Sequence, residues 1–232
     1  DMERIMDKLA YHIEEPRVGQ CYPNFYISNL ASKFVKVILS GTGGDELFAG
    51  YPWRYFKGNG KMTFDNYAKN FYSYWQRLIP PEFYKSIFNP IEKNTRDFDG
   101  FNIFRNVFHD KNKKLLNQED FINQSLYFEA KTFLHGLLVI EDKISMSHSL
   151  ETRVPFLDNE LVDFAMKIPA RLKLKMSKES PRFNENDPGF KTARYFQKTN
   201  DGKLILRELM NNFFSNEILK REKQGFSAPD SS

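Results

Sequence analysis

The clearest chemical capacity lies in Ser40-Gly41-Thr42-Gly43-Gly44-Asp45-Glu46-Leu47-Phe48-Ala49-Gly50-Tyr51, directly after the apolar run Val35-Lys36-Val37-Ile38-Leu39. Glycines let a backbone approach a ligand closely. The hydroxyls of Ser40 and Thr42 add polar contacts, and a helix starting after the glycines turns free N–H groups toward an anion. Asp45, in the first turn of that helix, is expected to stay ionised and to offer magnesium one carboxylate oxygen. Glu46, about 100° further round, is the weaker ligand. Taken alone, the same residues also describe a tight glycine turn with an acidic residue complementing a helix dipole, and they match neither the dinucleotide-binding nor the P-loop spacing.

Two other stretches carry charge in an ordered setting. Leu150-Glu151-Thr152-Arg153-Val154-Pro155-Phe156-Leu157-Asp158 reads as a helix end running into a turn, with Asp158 capping a helix over 159–167. Glu151 and Arg153 are suited to a polar cleft and equally to an ion pair holding two helices together. Lys220, Arg221 and Lys223 precede Gly225, where bases also answer the dipole of a helix C-terminus. Pro155 and Phe156 read as packing residues. His12, His109 and His135 lack metal-ligand spacing, and Cys21 is far from any basic cluster in the sequence.

The elements that must hold these residues are almost all helical. Ile5, Leu9 and Ile13 place a helix over 2–13, stopped at Glu14-Glu15-Pro16. Further helices are expected over 25–34, 64–78, 82–88, 99–108, 121–139, 189–196, 203–213 and 215–222, with an exposed loop at 176–188. Phe64, Tyr67, Phe71, Tyr74 and Trp75 form a stripe that reads as core. Val35–Leu39 is the one convincing strand, of the buried type. A lone strand leaves backbone groups unpaired, so it is expected to pair outside these residues, which makes the chain look like a piece of a longer one.

Composition narrows the function classes. The 232 residues carry 34 basic and 30 acidic side chains, a net charge of +4, which is a poor footprint for a dedicated nucleic-acid binder. No run of about 18 apolar residues exists to cross a bilayer, and the start is no signal peptide. A cytoplasmic setting is the default. The single cysteine excludes an internal disulfide framework. Aromatic residues make up 16% of the chain, so rings must supply much of the core.

Three blocks, in this order, resemble the synthetase domain of the asparagine synthase family, glutamine-dependent amide-forming enzymes. They are Val37–Tyr51, Glu141–Pro169 and Gly202–Pro229, and Leu9–Pro16 looks like the segment that precedes the first of them. The resemblance implies a mainly α fold with one parallel-type strand. Residues 1–232 would then be a single partial synthetase domain, the C-terminal helical part of an adenine nucleotide alpha hydrolase-like (N-type ATP-pyrophosphatase) α/β domain. It further implies that ATP activates the β-carboxylate of aspartate as an acyl-adenylate and that ammonia then displaces AMP. Ser40, Gly41, Thr42 and Gly43 would bind the nucleotide, and Asp45 would hold Mg2+ on the pyrophosphate. Lys223, Glu151 and Arg153 would serve the catalytic cleft, with Asp142, Lys143, Ser147 and Asp158 in the same block. Ammonia would come from glutamine through an N-terminal domain absent from these residues, and the family setting is compatible with a homodimer.

Two departures qualify the resemblance. Thr42 stands where relatives more usually carry an acidic or other polar residue, which leaves aspartate less secure as the acyl substrate. The serine- and glycine-rich pyrophosphate loop is not in the 232 residues, so these residues alone are expected to be inactive. A related ligase with another acyl substrate and a non-catalytic helical interaction module are the alternative readings.

Overall fold

A computed structural model gives the fold of residues 2–15, 20–58, 62–76, 79, 81–91, 93, 98–108, 115–176, 201–219 and 221. The chain divides into two compact units, one of Asp1–Pro52, Glu129–Met176 and Phe190–Ser232, the other of Trp53–Phe128 and Ser177–Gly189.

In the first unit, three helices share one core. α1 (Met6–Ile13), α2 (Cys21–Ala31) and a later helix, Phe133–Met146, bury Ile5, Leu9, Ile13, Cys21, Phe25, Ile140 and Ile144 together. Leu9 and Ile13 stand four residues apart, so both face the same neighbour. α1 ends at Glu14, which takes a left-handed φ of 60°. Lys143 secures that end by donating from Nζ to the Ile13 carbonyl at 2.8 Å and to Glu14 Oε2 at 2.8 Å. The Lys143 hydrogen bond, helped by its charge, holds the Glu14 carboxyl below its usual range.

β1 is Val37–Leu39, and it has a partner inside the chain. β2, Glu151–Arg153, pairs with it in parallel, Val37 opposite Glu151, Ile38 opposite Thr152 and Leu39 opposite Arg153. This corrects two expectations. The strand does not look wholly outside the chain for its backbone partners, and the block after Leu150 is a strand where a helix end running into a turn was expected. A Glu-Thr-Arg tripeptide has no apolar alternation to announce a strand; only the partner identifies it. The strand is also not buried. Val37 is 41% and Leu39 73% exposed, on the face they share with Glu151 and Arg153. Among the described residues, β2 covers one edge of β1 only.

After β1 come α3 (Gly44–Leu47) and α4 (Pro52–Tyr55), each four residues long. In the second unit, α5 (Phe64–Trp75) turns Phe64, Tyr67, Phe71 and Tyr74 inward as the stripe predicts. They meet rings of α7 (Gly100–Asn106) and α8 (Gln118–Lys131), numbered after α6 (Tyr84–Phe88). Phe71 lies edge-on to Phe128 at 5.3 Å between centroids, and Phe104 is 4.4 Å from Phe128. Such geometries suit the ring quadrupole. Tyr67 shares its hydroxyl with Ser125 Oγ at 2.7 Å, which satisfies two buried polar atoms.

The long helix expected over 121–139 is two helices. α8 stops at Lys131 and α9 runs Phe133–Met146, because Thr132 leaves the helical region at φ −122° and ψ −64°. α10 (Asn159–Lys167) matches the sequence expectation residue for residue, and Asp158 Oδ1 caps it by accepting from the amides of Glu160 and Leu161. α11 (Ala170–Lys173) is followed by an antiparallel bridge from Leu174 to Gly202, which leads into α12 (Leu204–Met210) and α13 (Asn216–Leu219). The expected helix over 189–196 lies outside the described residues. No described helix is long and apolar enough to cross a membrane.

Candidate functional site

The loop Ser40–Gly43 leaves the end of β1 and is fixed first by backbone. Ser40 N–H donates to the Arg153 carbonyl at 2.8 Å, continuing the sheet by one rung. Gly43 sits at φ 95°, in the left-handed region, and a Cβ there would collide with the Leu157 side chain. A glycine therefore meets both the conformational and the packing demand of the turn. Gly44 opens α3 against the Phe156 ring, so Phe156 packs as expected, with Leu157 beside it, whereas Pro155 is exposed.

α3, the helix expected to turn free N–H groups toward an anion, is a single turn. Aligned peptide dipoles sum along a helix, and four residues sum little. Side chains supply the local field instead. Asp45 Oδ1 lies 2.8 Å from Lys203 Nζ, with both side chains partly buried. Lys203 is positioned by its own backbone: it adopts φ 56°, donates its N–H to the Phe48 carbonyl at 3.0 Å and follows the Leu174–Gly202 bridge. Arg207, one turn further along α12, donates from Nε to the Gly202 carbonyl at 3.2 Å and from Nη1 to the Leu219 carbonyl at 2.8 Å. Burial lowers its pKa, and the negative charge of Asp45 acts in the opposite direction. Gly50 closes the loop by donating to the Asp45 carbonyl at 2.7 Å, where any Cβ would run into the Asp45 carboxylate.

The other end of the loop is acidic. Thr42 Oγ1 donates to Glu141 Oε2, on α9, at 2.6 Å, and stands 3.0 Å from Ser40 Oγ. Glu46, 2% exposed, accepts from the Tyr51 hydroxyl at 3.0 Å. The Tyr51 ring meets Phe133 edge-on at 5.8 Å, a second tie between this segment and α9.

The structure thus brings together Ser40, Gly41, Thr42, Gly43 and Asp45 with three residues sequence reasoning did not single out: Glu141, Lys203 and Arg207. The Lys203 and Arg207 pattern was weak because lysine and arginine four apart on a short helix also describe a solvated face. Glu151 and Arg153 lie at the N- and C-terminal residues of β2 and pair with each other, Arg153 Nε to Glu151 Oε1 at 2.8 Å, with side chains 55% and 63% exposed. That overturns the alternative in which they tie two helices together; they are two residues apart on one strand. Lys143 and Asp158 are structural caps. Ser147 donates to the Ile144 carbonyl at 2.6 Å and contacts His148 Nδ1 at 3.0 Å, at the end of α9. Cys21 is buried and unbridged. Lys223 lies outside the described residues.

Among the described residues no three His, Cys, Asp or Glu side chains converge as a metal cage. A single partly exposed carboxylate such as Asp45 suits magnesium only when phosphate oxygens and water complete the shell.

The loop is a glycine turn at a strand end, with an acid–base pair on one side and a carboxylate on the other. The whole-chain comparisons give the loop its family. The Asparagine synthase family model matches residues 1–232, and the chain belongs to that family. It is 28% identical to the glutamine-hydrolyzing asparagine synthetase 1 of Bacillus subtilis, over 97% of this chain and 36% of that protein. It is 26% identical to a putative glutamine-hydrolyzing asparagine synthetase of Mycobacterium tuberculosis, over 97% of this chain and 34% of that protein. A shorter match, 29% identical over 47% of this chain, is to the amidase chry2 of Gibberella zeae. The chain spans about a third of the length of the two synthetases. No solved structure matches.

Proposed function

We propose that this chain is part of an ATP-dependent asparagine synthase. In that reaction the β-carboxylate of aspartate becomes an acyl-adenylate with release of pyrophosphate, and glutamine-derived ammonia displaces AMP. The observation that carries the reading is the loop Ser40–Asp45 with Lys203 on the Asp45 carboxylate, in a chain matched over its full length by the family. The adenine nucleotide alpha hydrolase-like fold and the supply of ammonia from glutamine belong to this proposal.

The chain's own groups divide the work. Ser40, Gly41, Thr42 and Gly43 line the nucleotide side of the turn through their backbone, while the Ser40 and Thr42 hydroxyls are turned toward Glu141. Asp45 is the residue that would hold Mg2+, which supplies charge neutralisation on the pyrophosphate leaving group. Lys203 and Arg207 are cations within reach of the same leaving group, and Lys203 turns from Asp45 to phosphate as negative charge arrives. Glu151 and Arg153, on the exposed face of β2 beside the start of the loop, are assigned to the substrate side of the cleft. Lys223 is assigned to the phosphate and the tetrahedral intermediate. The complete reaction is a property of the longer polypeptide that the relatives' lengths imply, and the 232 residues alone are expected not to turn over.

ATP–pyrophosphate exchange measured in the complete polypeptide tests the reading. Aspartate should support exchange, and Asp45→Asn and Lys223→Ala should each reduce it by about 10² or more. Exchange with another acid and not with aspartate would favour the ligase of different acyl specificity suggested by Thr42. No exchange with any amino acid, and no nucleotide response lost in either variant, would leave the helical interaction module standing.

A further inference from the structure

The hydrogen bonds around Thr42 have only one consistent direction. The Thr42 hydroxyl donates its single proton to Glu141 Oε2 at 2.6 Å. Thr42 Oγ1 then has no proton left for Ser40 Oγ, 3.0 Å away, and the Ser40 hydroxyl must donate to it. Ser40 Oγ in turn accepts from the Thr42 N–H at 3.2 Å. The chain runs Ser40 to Thr42 to Glu141, and each hydroxyl proton points toward α9. Both hydroxyl oxygens therefore present lone pairs, not protons, to anything bound on the loop. An anion meets acceptors here, whereas a nitrogen that must lose a proton meets a path leading to a carboxylate. The opposite end of the loop, with Lys203 and Arg207, has the reverse character.

Glu141 is held for this task. Its neighbours Ile140 and Ile144 are buried in the α1–α2 core, and Lys143 is tied to the end of α1, so α9 presents Glu141 from an anchored helix. We propose that Glu141, acting through the Thr42 hydroxyl, is the proton acceptor for the nitrogen nucleophile, and that the two ends of the loop separate amine from phosphate. The proposal rests on the asparagine synthase reading. In the step concerned, the ammonia nitrogen lone pair forms the N–C bond to the acyl carbon and the carbonyl π pair moves to oxygen. The ammonium-like nitrogen passes one proton to Thr42 Oγ1 as the Thr42 proton moves to Glu141. The oxygen pair then re-forms the carbonyl, and the C–O bond to AMP breaks with its electrons on the phosphate.

The test compares two rates in the complete polypeptide: ATP–pyrophosphate exchange, which needs no nucleophile, and amide formation from ammonia. For Glu141→Gln the ratio of amide formation to exchange should fall by about 10². Thr42→Val should lower the same ratio, and the double variant should add little, because one chain is broken once or twice with the same result. Hydroxylamine, a much weaker base whose nitrogen sheds its proton unaided, should restore most of the lost ratio in both single variants. Parallel loss of exchange and amide formation, an unchanged ratio in Thr42→Val, or equal loss with hydroxylamine would overturn the proposal while leaving the asparagine synthase reading intact. Absence of exchange in the unmodified protein would overturn that reading, and this proposal with it.

Discussion

Replacing Lys173 by methionine should stabilise the protein at pH 7, and the effect should vanish in alkali. Lys173 is 2% exposed at the end of α11, and no hydrogen bond or ion pair reaches it among the described residues. Burial lowers its pKa from 10.5 to about 8. A tenfold change in proton affinity corresponds to about 1.4 kcal/mol, so the charged lysine costs the folded state up to about 3 kcal/mol at neutral pH. The folded protein binds fewer protons than the unfolded chain between pH 8 and 10.5, so stability rises with pH across that window and the cost disappears above it. Methionine keeps the length and carries no charge to desolvate. Thermal unfolding should therefore show Lys173→Met melting higher at pH 7 by up to about 6 to 12 °C, at roughly 2–4 °C per kcal/mol for a chain of this size. At pH 10.5 the two proteins should melt together. Lys175→Met is the control, since the Lys175 side chain is 73% exposed and only 3.7 Å from Asp201 at its closest; it should change little at either pH. A variant less stable at pH 7, or a stabilisation that does not depend on pH, would refute the claim that Lys173 is buried at a cost. The site has a functional neighbour, because Leu174, the next residue, makes the bridge to Gly202 that aims Lys203 at Asp45.

Gly43→Ala should lower stability by about 1–2 kcal/mol for the left-handed backbone alone, with Leu157 displaced as well, read as a fall in urea midpoint. The same variant should reduce ATP–pyrophosphate exchange, since the turn that seats the loop moves. Lys143→Met removes the donor to Ile13 and Glu14, and should cost about 1–2 kcal/mol with faster hydrogen exchange confined to the end of α1. Lys203→Met should leave far-ultraviolet circular dichroism unchanged and lower exchange by about 10-fold or more; unchanged exchange would remove Lys203 from the phosphate end of the loop.

How much was legible in the sequence differs by kind of residue. α10 was, cap included, because Asp158 and the amphipathic run after it lie within a dozen residues. The aromatic stripe of α5 was, because period alone puts Phe64, Tyr67, Phe71 and Tyr74 on one face. The break at Thr132 was not: β-branching lowers helix propensity only slightly, and apolar residues continue on both sides. β2 was not, since Glu-Thr-Arg becomes a strand only through the backbone of Val37–Leu39, more than a hundred residues earlier. The family was legible because its blocks are long and local, and Gly43 stands where the turn needs a left-handed φ.

The sequence by itself determined the residues that must be small, apolar or charged: the glycine turn, the carboxylate at Asp45, the helical stripes and the family to which they belong. Only the tertiary structure decided which charges meet. Glu141 reaches Thr42 across 99 positions and Lys203 reaches Asp45 across more than 150, from helices whose other faces are fixed by unrelated packing. A local pattern encodes the preference of a segment for a conformation and a buried face. The juxtaposition of two distant side chains is set by how those faces pack, and no residue near either partner in sequence records it.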